Sequence, residues 1–195
     1  MLKFSDNLPM LFPEAALEAE LATAWWVAHT KSRFEKAFAW DLHRKAIPYF
    51  LPMVERVTVS GGKKRRGLAP LFAGYVFFQG QREQRYEALL TDRLCQVIEV
   101  PEQARLMGEL RSIWTVLEQK ATLDLYLFAA IGRRCRIRSG PFEGIEGVVT
   151  VREERKARFV LQVSILGQGA SLEIDADLLE SADDSESREK LVAFS

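Results

Sequence analysis

The sequence predicts an α+β protein: a ferredoxin-like domain, with helices on one face of an antiparallel sheet, followed by a small, strongly bent β-barrel. Three observations carry that expectation. Strand and helix signals between Trp25 and Val100 follow the order β, α, β, β, α, β. A helical apolar stripe follows Pro101. From Gly132 onward the chain becomes a run of short strands cut by turns.

The residues before Trp25 read as an extension, with a turn at Asp6 to Pro9 and a short helix from Pro13 to Ala22. Trp25, Trp26 and Val27 open the first strand. Ser32 and Glu35 have capping-box spacing, so a helix is expected to start there, and Phe34, Phe38 and Leu42 supply its i, i+4, i+8 stripe. Pro48 and Pro52 bracket an extended piece, Tyr49 to Leu51. Val54 to Ser60 alternates as a strand, Gly61-Gly62 marks a hairpin turn, and its tip carries Lys63, Lys64, Arg65 and Arg66. Leu71 to Phe78 is apolar throughout, as a strand covered on both faces would be. Gln81 to Thr91 reads as a second helix with Tyr86, Leu89 and Leu90 inward, and Gln96 to Val100 as the next strand. Pro101 to Gln119 is a third helix, with Leu106, Leu110, Ile113 and Leu117 on one side. Leu123 to Ala130 is a short apolar junction. Cys135 to Arg138, Val148 to Val151, Phe159 to Leu166 and Leu172 to Ile174 are the barrel strands, and the residues after Ser181 form an acidic, Ser-rich tail. The expected divisions are 1–23, 24–121, 122–130, 131–181 and 182–195.

The chain has 195 residues, 48% of them hydrophobic and 28% charged, a globular composition rather than a disordered one. Lys plus Arg and Asp plus Glu both number 27, so the whole chain offers no general attraction to a polyanion. The balance is uneven along the chain: Trp25 to Pro70 holds ten basic residues against three acidic, and the tail from Val163 is acidic. Cys95 and Cys135 are too far apart for a close-spaced zinc motif and too few for a disulfide framework, which points to a reducing compartment. Neither a signal peptide nor a membrane span is expected near Leu8 to Phe12, where Pro9 and Pro13 interrupt the apolar run. His29 and His43 have no partner at ligand spacing, so no metal is expected. No phosphate loop, nucleophile elbow or HExxH occurs, and neither an enzyme nor a cofactor is read here.

Four features remain. The basic run Lys63 to Arg66 is either an arm for nucleic-acid phosphates or a solvated hairpin end. Trp25, Trp26, Phe72, Tyr75, Phe77 and Phe78 are either core or a partner-binding patch; Tyr75 and Phe77 share a strand face, whereas Phe72 joins them only across a bulge at Ala73-Gly74. Gly140-Pro141-Phe142 is a turn that presents an aromatic. Arg133, Arg134, Arg136 and Arg138 either make a basic edge or protect that edge from pairing.

Together these residues resemble the NusG family of transcription elongation factors, over about Trp25 to Glu180. In the first domain the resemblance rests on Trp25-Trp26-Val27, Ser32-Arg33-Phe34-Glu35-Lys36 and Pro70-Leu71-Phe72-Ala73-Gly74-Tyr75-Val76-Phe77. In the second it rests on Gly132, Arg136-Ile137, Ser139-Gly140-Pro141-Phe142-Glu143-Gly144, Gly147-Val148-Val149, Val163-Ser164-Ile165-Leu166-Gly167 and Leu172-Glu173-Ile174-Asp175. The resemblance implies an NGN domain at 24–121 and an SH3-like KOW β-barrel at 131–181. It implies that the NGN domain docks on RNA polymerase, at the β′ clamp helices and near the β gate loop, suppressing pausing and promoting antitermination. Trp26, His29, Phe72, Tyr75 and Phe77 would form the docking surface, with Lys63, Lys64, Arg65 and Arg66 near upstream DNA. Phe142 and Ile145 would meet a further partner, termination factor Rho or the NusE ribosomal protein. A cytoplasmic monomer is implied.

Ala73 stands where the family usually carries proline, the segment between first helix and second strand is compact, and the junction after Leu123 is short and apolar. The alanine loosens the expected bulge without changing the strand; the compact segment and the short junction resemble the specialised RfaH-like paralogues. Some of those refold the KOW domain into helices; the β-branched and aromatic content of Val148 to Val151 and Phe159 to Ile165 favours strands here. The competing reading is a ribosome- or RNA-associated KOW protein without polymerase contact, which predicts salt-steep RNA binding.

Overall fold

The computed structural model describes residues 8–18, 23–61, 63–119, 123–126, 133–152, 156–175 and 178–182. The turn at Asp6, the stretch up to Ala22, Gly62, Gly132, most of the junction to Ala130 and the acidic tail beyond Ala182 lie outside them. The chain divides into two compact units, 1–107 and 108–195.

The first unit contains β1 (Leu11–Phe12), β2 (Trp25–Thr30), α1 (Glu35–Arg44), β3 (Tyr49–Phe50), β4 (Met53–Ser60), β5 (Lys63–Pro70), β6 (Tyr75–Gln79), α2 (Arg82–Leu89) and β7 (Leu94–Glu99). Its antiparallel sheet runs β1-β3-β6-β2-β7, and β4 with β5 forms a separate two-stranded ribbon. The expected β, α, β, β, α, β order is therefore made by β2, α1, β3, β6, α2 and β7. Phe38, Ala39 and Leu42 of α1 and Ala88 of α2 form one core with Ala28, Val76, Phe78 and Tyr49. On the opposite side of the pleat Val27 pairs with Phe77 and Phe77 with Phe50, and all three are fully buried. Burial on both faces explains the unbroken apolar run Val76 to Phe78.

Several sequence expectations are corrected. The second sheet strand is Tyr49–Phe50, not Val54 to Ser60. The charged alternation of the latter suits a ribbon, while Tyr49 and Phe50 are aromatic, fully buried and paired with Phe78 and Phe77. The third begins at Tyr75, not Leu71, because Gly74 takes φ +84° and Tyr75 N–H donates to Phe72 O, closing a turn. Lys63 to Arg66 lie in a strand rather than on a tip, since the register Ser60 opposite Lys63 leaves only two residues for the turn. Tyr86 and Leu90, expected inward, are each 63% exposed, and Leu89 is exposed too. The small Ala88 is the α2 residue that meets the core, and Gly80 lets the helix start close, since a Cβ there would lie 2.4 Å from Gln84 Cβ.

The supposed extension is built in. Leu11 and Phe12 add an edge strand to β3, and Leu8, Leu11, Ala16 and Leu17 are buried. In place of the helix from Pro13, the described part shows a 3-10 turn at Glu14–Leu17.

The third helix, α3 (Gln103–Glu118), begins in the first unit and ends in the second. In the first, Gln103 is tied to β2: its Oε1 accepts from Trp25 N–H and its Nε2 donates to Trp25 O. In the second, Leu110, Ile113 and Val116 are buried, and Glu109 accepts from Ser164 N–H and Oγ at 3.0 and 2.5 Å. The second unit continues with β8 (Asp124–Tyr126), β9 (Arg133–Ile137), β10 (Glu146–Arg152), β11 (Lys156–Val163), β12 (Gln168–Asp175) and β13 (Leu179–Ser181). These form one antiparallel sheet in the order β13-β9-β10-β11-β12-β8. Residues 124–126, expected in the junction, are thus an edge strand on β12. The strand expected over Phe159 to Leu166 stops at Val163, where Ser164–Leu166 makes a 3-10 turn ending on Gly167 at φ +61°.

Candidate functional site

Alternation along β2 and β6 sorts the expected docking residues. His29 lies opposite Tyr75 in the register, and their rings stack with centroids 5.0 Å apart. Both are half-buried. Phe77, two residues along the same face, is fully buried, as is Phe72, and the two rings meet edge-on at 6.2 Å. Phe72 and Phe77 are therefore packed in the core rather than presented. Trp26 is not brought together with the others. It sits in the layer of Phe78, its indole N–H donates to Gly80 O at 2.9 Å, and Arg85 lies over its ring.

The turn before Tyr75 is held from two sides. Gly74 O accepts from Thr30 N–H at 2.8 Å, and Gly74 N–H donates to Glu35 Oε1 at 2.7 Å. Glu35 does not close the expected capping box: Phe34 is the N-cap of α1 and no side-chain cap bond forms. Arg33 takes φ +66°, a conformation that carries the chain from β2 into α1 without the Ser32 cap.

Sequence reasoning missed two neighbours. The register of β7 places Gln96 opposite His29 and Ile98 opposite Val27, so both extend the same face; the alternation of β7 carried that signal. At the loop end of the sheet, Phe34 is 38% exposed with Arg93 over its ring, and Arg93 is paired with the buried Asp41 carboxylate. Lys31 bonds Asp92 and holds its carboxyl below the usual range.

The ribbon β4–β5 carries the basic run. Its register sets Lys64 opposite Val59, Arg65 opposite Thr58 and Arg66 opposite Val57, and Lys64, Arg65 and Arg66 are exposed. Successive residues point to opposite faces, so positive charge stands on both sides of the ribbon. Val57, beside Arg66, is 56% exposed.

In the second unit Phe142 and Ile145 occupy the loop between β9 and β10, both half-buried. The loop is ordered by Gly144 N–H to Ile137 O, Ile137 N–H to Ile145 O and Ile145 N–H to Phe142 O. Gly140 and Gly144 take positive φ there. The arginines of β9 are partly neutralised: Arg134 and Arg136 both pair with Glu146.

Among the described residues no group of three His, Cys, Asp or Glu is placed to hold a metal, and no helix is long and apolar enough to cross a membrane.

The family model described as transcription termination factor nusG matches residues 23–123. The chain belongs to the NusG family. It is 22% identical over 185 residues to the transcription termination/antitermination protein NusG of Borreliella burgdorferi, covering 82% of this chain and 99% of that protein. It is 22% identical over 189 residues to the NusG of Staphylococcus aureus, covering 82% and 96%. A solved structure on domain interaction in Thermotoga maritima NusG aligns over 83% of this chain and 98% of that one, with 17% identity and a TM-score of 0.48. The NusG match contains the whole His29–Tyr75 surface and the basic ribbon.

Proposed function

We propose that this NusG-family chain is a non-enzymatic elongation and antitermination factor, with residues 24–121 acting as an NGN domain that binds RNA polymerase. The observation that carries the reading is the half-buried His29–Tyr75 stack, on the same sheet face as the buried Phe77. An aromatic pair stacked across two paired strands loses little entropy on binding and suits a hot spot. The β′ clamp helices and the β gate loop are the assigned partners. Binding that favours a closed, active polymerase shifts its population away from paused states. Tyr75 and His29 make the contact, Phe72 and Phe77 pack in the core, and Trp26 acts from the other side of the sheet by fixing β2.

Lys63, Lys64, Arg65 and Arg66 contact upstream DNA, which two-sided charge on a narrow ribbon suits. Residues 131–181 form the KOW barrel, whose Phe142 and Ile145 recruit Rho or the NusE ribosomal protein. The short connection containing β8 supports a specialised member of the family, and its place of action is the cytoplasm.

Co-purification of tagged protein with core RNA polymerase, wild type beside Tyr75→Ala, tests the reading. Wild type should retain polymerase and Tyr75→Ala should weaken retention by about 30-fold, the effect of a hot spot of about 2 kcal/mol, with circular dichroism unchanged. Retention of ribosomes or RNA without polymerase would instead establish the RNA-associated reading.

A further inference from the structure

We infer that Glu35 is a positioning residue for the His29–Tyr75 surface, acting through the peptide of Gly74. The inference rests on the docking reading for its consequence, and on the structure's geometry for its mechanism.

Glu35 is a charged residue that opens α1 just after the exposed Ser32, Arg33 and Phe34, yet it is only 8% exposed. Burying a carboxylate is costly unless it receives hydrogen bonds. Its own helix does not supply that bond, since no side-chain cap forms at the start of α1. The carboxylate turns away from the helix and accepts from Gly74 N–H, 39 residues on, at 2.7 Å. A backbone N–H bonded to a carboxylate is among the stronger hydrogen bonds available.

Gly74 is the residue whose orientation decides where Tyr75 goes. It takes φ +84°, and its carbonyl is held by Thr30 N–H. Ala73, before it, has no ring to fix φ, and is exposed. Gly74 is thus clamped on both sides, its N–H by the start of α1 and its C=O by the end of β2. His29 immediately precedes Thr30, and the His29 ring lies against Gly74: a Cβ on Gly74 would be 3.6 Å from His29 Cδ2. Both stacked rings therefore belong to residues adjacent to the two peptides in this clamp. Through Gly74, Glu35 sets the spacing between them.

The test uses the full chain with Glu35→Ala, Glu35→Gln, Tyr75→Ala and the Glu35→Ala/Tyr75→Ala double variant. Ring-to-ring nuclear Overhauser contacts between His29 and Tyr75 report the stack without any partner. Glutamine retains an acceptor oxygen and should keep these contacts, with polymerase binding within about threefold of wild type. Alanine should lose them and weaken polymerase binding about tenfold, the effect expected of one hydrogen bond. The double variant should bind no more weakly than Tyr75→Ala. Persistence of the ring contacts in Glu35→Ala, or equal loss in Glu35→Gln, overturns the inference, as does additivity in the double variant. If Glu35→Ala does not fold, Glu35→Met, which fills the site without an acceptor for Gly74 N–H, takes its place: loss of the ring contacts supports the inference and their persistence overturns it. Should Tyr75→Ala bind polymerase normally, the docking reading fails by itself, and the ring contacts still judge the role of Glu35.

Discussion

Tyr49 shows how one polar atom is accommodated in the core. Its ring is fully buried beneath α1, and its hydroxyl donates to Pro9 O at 3.0 Å. Burial holds the phenol above its ordinary value of 10.0. A group whose folded pKa is raised stabilises the fold below its unfolded pKa and loses that contribution as pH rises past it. Wild type should therefore lose stability above about pH 10 relative to Tyr49→Phe, which should be about 1 kcal/mol less stable at neutral pH for want of the hydrogen bond. Urea denaturation of both proteins from pH 7 to 11 measures the difference. Gly147 is a residue of the opposite kind, wanted for what it lacks. A Cβ there would lie 2.6 Å from Val160 O and 2.7 Å from the Phe159 ring. Gly147→Ala should destabilise the second unit by about 1–3 kcal/mol, read as a lower thermal midpoint, while leaving the His29–Tyr75 contacts in place.

Elements are where sequence reading and structure part company most. Periodicity located α1, α2, α3 and β2 closely, because local pattern and tertiary environment agree there. It misassigned the middle of the first unit, since Val54 to Ser60 alternates as any strand does, whether in a sheet or in a ribbon. It also inverted α2: apolar Tyr86, Leu89 and Leu90 read as a buried face, but they are exposed and the small Ala88 is the residue of this helix that joins the core. The segment around β1 shows the converse error, an apparent appendage that completes a core. Leu17→Ala should cost about 2–5 kcal/mol despite lying outside every motif, as measured by chemical denaturation. A dispensable extension would show almost no change.

At the scale of the whole molecule, an even balance of 27 basic and 27 acidic residues conceals the basic ribbon. The full chain should be retained on heparin at pH 7 and low salt in spite of its zero net charge. Replacing Lys63, Lys64, Arg65 and Arg66 with Ser should abolish that retention and flatten the salt dependence of DNA binding, with circular dichroism unaltered because Lys64, Arg65 and Arg66 are exposed and the core contact of their strand is made by Leu68. The sequence by itself determined the class of the fold, the helices, the strand-rich second half, the site of positive charge and the family, for these depend on local period, composition and short motifs. Only the tertiary structure decided which aromatics are presented and which are packed, because burial is set by what lies across the sheet. It moved Trp26 to the other face, sank Phe72 and Phe77, and left His29 and Tyr75 stacked. It also joined Glu35 to Gly74, a contact that no reading of spacing contains, since a hydrogen bond between residues so distant in the chain exists only once β2, α1 and β6 have packed.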